Sequence, residues 1–438
     1  MRIASLSTDQ SPLISIPFSF FALAPAFLIL AAGILAIGGS DLLSSPHTPA
    51  LLAATHCLTL GFMASVMFGA MQQILPVLVG SKMSASLLVA RVTWLALLLG
   101  TLALCAGFLL GLPSLLSLAW PLLSIAFVIF IVASLISLVR ASARNVTRTA
   151  LILAVIAFAL AVSLGILLAH GYATGASIPF AELASAHIHL ALGGWVMLLV
   201  IGVSYQVVPM FQLTPNYPKW LTAVLAPAIF AALFASLPIF PHWINIIAEC
   251  AFWLLSLCFA LITLKLQWQR RRRVPDATLS FFRLGMISLI LATLFSLLVL
   301  GYPAANPHLQ TLSALAFLMG FAMSVIDGML YKIMPFLVWF HLFRGGMKTD
   351  VPNMKQIIPE SWMWWHYRLQ LATLMTAACA LFWSVALWAV VLGLLLQGLL
   401  LGRAVFTAIA IYRNNLIRIN QLKINVGQFI SEDIKPPK

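Results

Sequence analysis

Two stretches of this chain repeat one another and carry histidine at matching places. Ala54-Thr55-His56 runs through Gly61-Phe62, Gly69 and Gln73 to Pro76, and His187-Ile188-His189 runs through Gly194-Trp195, Gly202 and Gln206 to Pro209. Counted back from the proline, both place His at −20, Gly at −15, an aromatic residue at −14, Gly at −7 and Gln at −3. A third copy ends at Pro335, with Gly320, Phe321, Gly328 and Lys332 at those offsets and Leu315 in place of the histidine. A neutral imidazole is the commonest metal ligand in proteins, and an ionisable group inside an apolar segment needs a reason to be there. His56, His187 and His189 are therefore the candidate ligands for a haem iron or copper. The two-residue spacing turns His187 and His189 roughly 200° apart on a helix, so they should serve different centres, His187 in the direction of the third repeat. His56 and His189 hold equivalent positions at one depth, which suits the two axial sites of one haem. Gly61, Gly193 and Gly194 would let a flat macrocycle approach the backbone. The competing reading makes these histidines interfacial, bonded to backbone carbonyls, with the glycines serving helix packing alone.

The elements that must position them are membrane helices. The chain has 438 residues, 63% hydrophobic and 8% charged, which excludes a soluble globular class. Apolar runs of spanning length fall near 17–39, 52–79, 87–111, 114–139, 149–171, 184–211, 219–239, 243–265, 280–301, 309–338, 368–385 and 387–411. The expected fold is all-α and polytopic, with twelve spans in three pseudo-symmetric arcs of four over 1–146, 147–275 and 276–412, then a polar tail over 413–438. The first run is too long for a signal peptide and should remain as a helix. The net charge of +14 is a topology signal and does not point to nucleic acid. Lys82, Arg91, Arg140, Arg144, Arg148, Lys219, Arg270 to Arg273, Arg344, Lys348, Arg413 and Arg418 all lie on alternate loops. This bias puts both termini in the cytoplasm of a bacterial inner membrane, with the basic loops also able to meet anionic lipid.

That topology gathers His47, His56, His170, His187, His189, His242 and His308 at the outer face. His170, His242 and His308 are weaker metal candidates, and His47 belongs to a solvated loop. His341 and His366, among Trp362, Trp364 and Trp365, fit an aromatic interface belt. Glu182 and Glu249 fall near the outer half. Asp327 and Tyr331 share one face of the tenth span with Lys332 beside them, a candidate proton or ion path or a structural pairing. Arg403 should snorkel or pair with an acid. Cys57, Cys105, Cys250, Cys258 and Cys379 lack CxxC spacing and act as small packing residues.

The run His187-Ile188-His189 to Tyr205-Gln206-Val207-Val208-Pro209-Met210-Phe211 resembles the tenth helix of subunit I of haem–copper oxidases and nitric oxide reductases. There an HxH holds two haems. His56 to Pro76 resembles that family's second helix, whose histidine ligates the low-spin haem. The Gly-Phe and closing proline are also similar to the NnrS family of twelve-span proteins that contain haem and copper and are tied to nitric oxide resistance. The resemblance covers most of the chain in architecture and about fifty residues in motif. It implies haem b, and with it copper, on His56, His187 and His189. The departures are that HxH lies on the sixth span, that Ser313 and Leu315 stand in the tenth, that 219–239 has no histidine pair, and that the outer arginine pair is missing.

Three functions stay open. One is haem-based electron transfer or nitric oxide handling at the outer face, supplied by a periplasmic or membrane electron donor. Another is a divergent oxidoreductase with copper on His187 and one of His170, His242 or His308. The last is a cofactor-free secondary transporter coupled through Asp327. Since a firm copper site needs second and third ligands, negligible oxygen turnover is expected. An oxygen electrode with reductant and redox mediator checks this, and sustained cyanide-sensitive uptake at oxidase-like rates would contradict it.

Overall fold

The computed structural model describes residues 12–81, 83, 85–271, 273–302, 307–345 and 351–433. Among these the chain is helical, with no strand. The long helices begin with α1 (Ser15–Ser44), α2 (Pro49–Val79), α3 (Ser86–Leu110), α4 (Pro113–Arg140), α5 (Val146–Thr174) and α6 (Phe180–Gln212). They continue with α7 (Lys219–Ala235), α8 (His242–Trp268), α9 (Ala277–Gly301), α10 (His308–Arg344), α11 (Glu360–Ala380) and α12 (Ser384–Ile419). A helix stands near each expected position, and among the described residues ten are long and apolar enough to cross a membrane. The other two are α7 and α11. The first has 17 residues, with Pro218 before it and Pro227 inside it. The second opens on the polar and aromatic run Glu360 to His366. Leu95, Leu99, Val128, Val132, Leu254 and Leu261 are exposed along the spans, as a lipid-facing surface requires. The chain is a multi-pass membrane protein.

The three repeats share more than residues. Inside α2, α6 and α10 the backbone widens to a π-helix over Cys57–Ala64, His189–Met197 and Ala316–Met323. Such segments are rare, and each here contains the −15 glycine of its repeat. That glycine lies flush on the helix before it: Gly61 on the Phe27 ring of α1, Gly194 on Ala157 of α5 and Gly320 on Ser288 of α9. The −7 glycines repeat the contact one level down, Gly69 on Phe20, Gly202 on Ala150 and Gly328 on Phe281. Lipid tails are as apolar as leucine, so membrane helices associate through this kind of close small-residue packing.

The repeat helices converge on a cavity of about 70 Å³ with an apolar lining. Met67, Val200 and Ile326 line it at one level, and Ile74, Val207 and Ile333 at another, the same two repeat positions each time. The last helix closes the bundle against the first, with Gly398 over Ile29 and the Pro25 carbonyl. It also runs on as one helix to Asp433, so the expected tail continues the last span as helix. Lys82, Arg272 and Lys348 of the basic loops lie outside the described residues.

A methyl group at Gly194 would sit 2.5 Å from the Ala157 Cβ, which cannot rotate away, whereas nothing lies within 4 Å of one at Gly33. Gly194→Ala should therefore destabilise the protein by about 1–3 kcal/mol, and Gly33→Ala should leave it unchanged or slightly stabilised. Thermal unfolding of both variants in detergent checks the pair.

Candidate functional site

The histidine end of the bundle is built from α2, α3, α5, α6 and α8. His56 ends the first regular turns of α2, and its Nδ1 lies 2.8 Å from the Leu52 carbonyl. His187 crosses to α5, with Nδ1 2.8 Å from the Ala161 carbonyl and its ring packed over Gly165. The Nδ1 of His189 lies 2.9 Å from the Ser185 carbonyl. A carbonyl oxygen only accepts, so in neutral His56 and His187 the proton is on Nδ1 and Nε2 keeps its lone pair, whereas the Nε2 of His189 faces a carboxylate. Histidines that hold metals are usually anchored in this way. Carbonyl bonding is also what the interfacial reading expects of these rings.

The HxH pair diverges, as helical geometry requires. His189 turns to α8, where its Nε2 is 3.7 Å from Glu249 Oε1. His187 turns to α5, where its ring packs over Gly165. His189, expected opposite His56, has its Nε2 toward Glu249, and His187, expected to face the third repeat, contacts α5. His56 leans on Phe108 of α3 and His189 on α8. Phe108, Tyr172 and Phe180 continue as an aromatic wall from His56, with ring centroids 5.4 Å and 4.7 Å apart.

The expected glycine cradle is filled. Phe27 occupies the face of Gly61, Leu233 and Phe252 that of Gly193, and Ala157 that of Gly194. These glycines serve helix packing. The weaker candidates are dispersed: His170 stands edge-on to Trp120 at 5.5 Å, His308 packs on Phe382 at 5.1 Å, and His242 opens α8. Among the described residues, no three His, Cys, Asp or Glu side chains form a set able to hold a metal ion.

A second polar group lies deep in the bundle, between α10, α11 and α12. Asp327 is buried, and His366 Nε2 lies 3.7 Å from its Oδ2. Tyr331 OH is 2.9 Å from His366 Nδ1. Gln370 donates to the Met319 carbonyl and to Ser324 Oγ, and Gln397 donates to Thr373. His366 therefore belongs to the interior, not to an interface belt. The available signal was the spacing of His366, Gln370 and Thr373, which puts three polar residues on one buried helical face. Lys332 is separate from this group and pairs with Asp276 at 2.9 Å. Arg403 lies 3.9 Å over the Trp362 ring.

No protein-family model matches the chain, and no curated protein matches it.

Asp276 caps α9 through the backbone N–H of Thr278. Partial burial pushes its carboxyl up, but Lys332 and Thr278 outweigh that and hold it below the ordinary carboxylate value. A lowered folded pKa contributes stability that is present above the unfolded value and lost as pH falls through the folded one. Melting temperature should therefore drop on acidification through and below the usual Asp range. Lys332→Met should flatten that dependence and cost on the order of 1 kcal/mol near neutrality.

Proposed function

We propose that the chain is a b-type haem-binding membrane protein of the haem–copper oxidase and NnrS-like kind, with twelve spans in three arcs of four. Its role in this reading is electron transfer or nitric oxide handling at the outer face of a bacterial inner membrane. His56 and His187 would hold the haem. The observation that carries the proposal is the shared anchoring of these histidines: each Nδ1 is tied to a backbone carbonyl, and with His189 turned to Glu249, His56 and His187 are the two that keep Nε2 for a ligand. The donor set would suit a haem iron, which two imidazoles can hold. It does not suit copper, which would want a third ligand alongside them.

When bound, a haem supplies a one-electron couple. The chain's own residues orient the imidazoles and limit water. Leu52 and Ala161 hold the rings by their carbonyls, Gly165 gives His187 the space to lie against α5, and Phe108, Tyr172 and Phe180 form an apolar wall beside His56. Glu249 engages His189 and so keeps that histidine out of the ligand pair.

The test is a reduced-minus-oxidised spectrum of protein purified from haem-replete cells. His56→Ala and His187→Ala should each abolish the sharp low-spin α-band or convert it to high-spin, while His189→Ala should keep it. Protein that purifies without haem, or a wild-type spectrum in both of the first two variants, would overturn the assignment.

A further inference from the structure

The repeat shows what the middle of each second helix ordinarily holds. Phe68, Ile201 and Asp327 occupy one repeat position on α2, α6 and α10, and all three are fully buried. Phe68 stacks on Phe130 at 3.8 Å within an aromatic core, and Ile201 is aliphatic. The third copy replaces these with a carboxyl group near the midpoint of a helix running from His308 to Arg344. Neither oxygen of Asp327 has a hydrogen-bond partner, and the side-chain oxygen of Gln370 has none either. The nearby cations are turned elsewhere, Lys332 to Asp276 and Arg403 to Trp362. A buried carboxyl group without partners is costly, and inside a membrane such groups mark ion or proton pathways.

The side chain that faces Asp327 decides which of these it is. An imidazole nitrogen at 3.7 Å is a proton acceptor, whereas hard cations gather oxygen ligands. His366 is held by its other nitrogen, since Tyr331 OH lies 2.9 Å from Nδ1. Among the described residues, the titratable groups facing Asp327 are Tyr331 on its own helix and His366 on α11. The neighbours from α9 and α12, Phe281 and Gln397, do not titrate.

We propose that Asp327 and His366 form a proton-exchanging pair inside the third arc, with the proton as the ligand of this site. In the step, the O–H bond of a neutral Asp327 breaks and an N–H bond forms at His366 Nε2, leaving a carboxylate against an imidazolium. No electrons are exchanged, and the return step restores both neutral groups. One water or a small side-chain shift closes the 3.7 Å gap. Tyr331 positions the ring. The inference stands apart from the haem reading, which concerns other helices.

Infrared difference spectroscopy of the full-length protein in lipid films, in H2O and D2O, tests it. A deuterium-sensitive band of a neutral carboxylic acid should be present near neutral pH and lost in Asp327→Asn. His366→Gln should retain the band but slow its deuterium exchange about a hundredfold, the usual scale for a positioned proton-transfer group. Should Asp327→Asn fail to fold, Asp327→Glu gives the same readout by displacing the band without removing it. The proposal is overturned if the band is unaffected by both Asp327 variants, if exchange is unchanged in His366→Gln, or if the wild type shows a carboxylate signal that shifts on adding sodium.

Discussion

Close contact between the first and second helices of each repeat is the constraint on which the rest depends. In a bilayer, apolar side chains gain little by leaving lipid for one another, so helices are held by the approach of backbones and by interhelical polar bonds. Here six glycines, two per repeat, bring α2, α6 and α10 against α1, α5 and α9. That approach turns the opposite faces of the three second helices to a common axis, where the same repeat positions line one cavity. The depth of every polar group follows from it. His56 and His189 stand near the starts of their helices, Asp327 halfway along, and Lys332 one turn deeper at the cap of α9.

Equivalent positions on α2 and α6 meet different neighbours, His56 meeting Phe108 of α3 and His189 meeting Glu249 of α8. The two-residue offset within HxH separates His187 from His189. One imidazole follows the repeat and turns to α8, and the other departs from it and crosses to α5.

Much of the architecture was legible in the chain. Length, apolar runs and basic loops indicated the helices, and the repeat marked which of them are central. The divergence of His187 and His189 followed from helical geometry alone. Other features were illegible for definite reasons. The turn of His189 to Glu249 depended on how α8 packs, which spacing along one helix does not encode. The glycines at Gly61, Gly193 and Gly194 look the same in sequence whether they face a macrocycle or a Phe27, and only packing separates the cases. His366 was masked by its neighbours Trp364 and Trp365, which share a segment with it but not a face, while Gln370 and Thr373 one and two turns on share that face.

The third repeat separates scaffold from chemistry, because it keeps the backbone device without the histidine. Its π-helical segment, Ala316–Met323, has Leu315 ahead of it and still presents Gly320 to α9. The widened turn therefore belongs to helix packing and is not built for ligation. The same comparison explains Lys332. Gln206, at its position in the second repeat, donates to Thr147 in the first turn of α5, and Lys332 reaches Asp276, the cap of α9. Both anchor the foot of one helix to the start of another, so the charge at Lys332 is a variant of a structural tie. Asp327 has no such precedent, since its counterparts are a phenylalanine and an isoleucine inside apolar cores. Burying a carboxyl group where the scaffold accepts an aromatic ring opposes folding. What packing does not require at that position, the chemistry of the carboxyl group and its facing imidazole must explain.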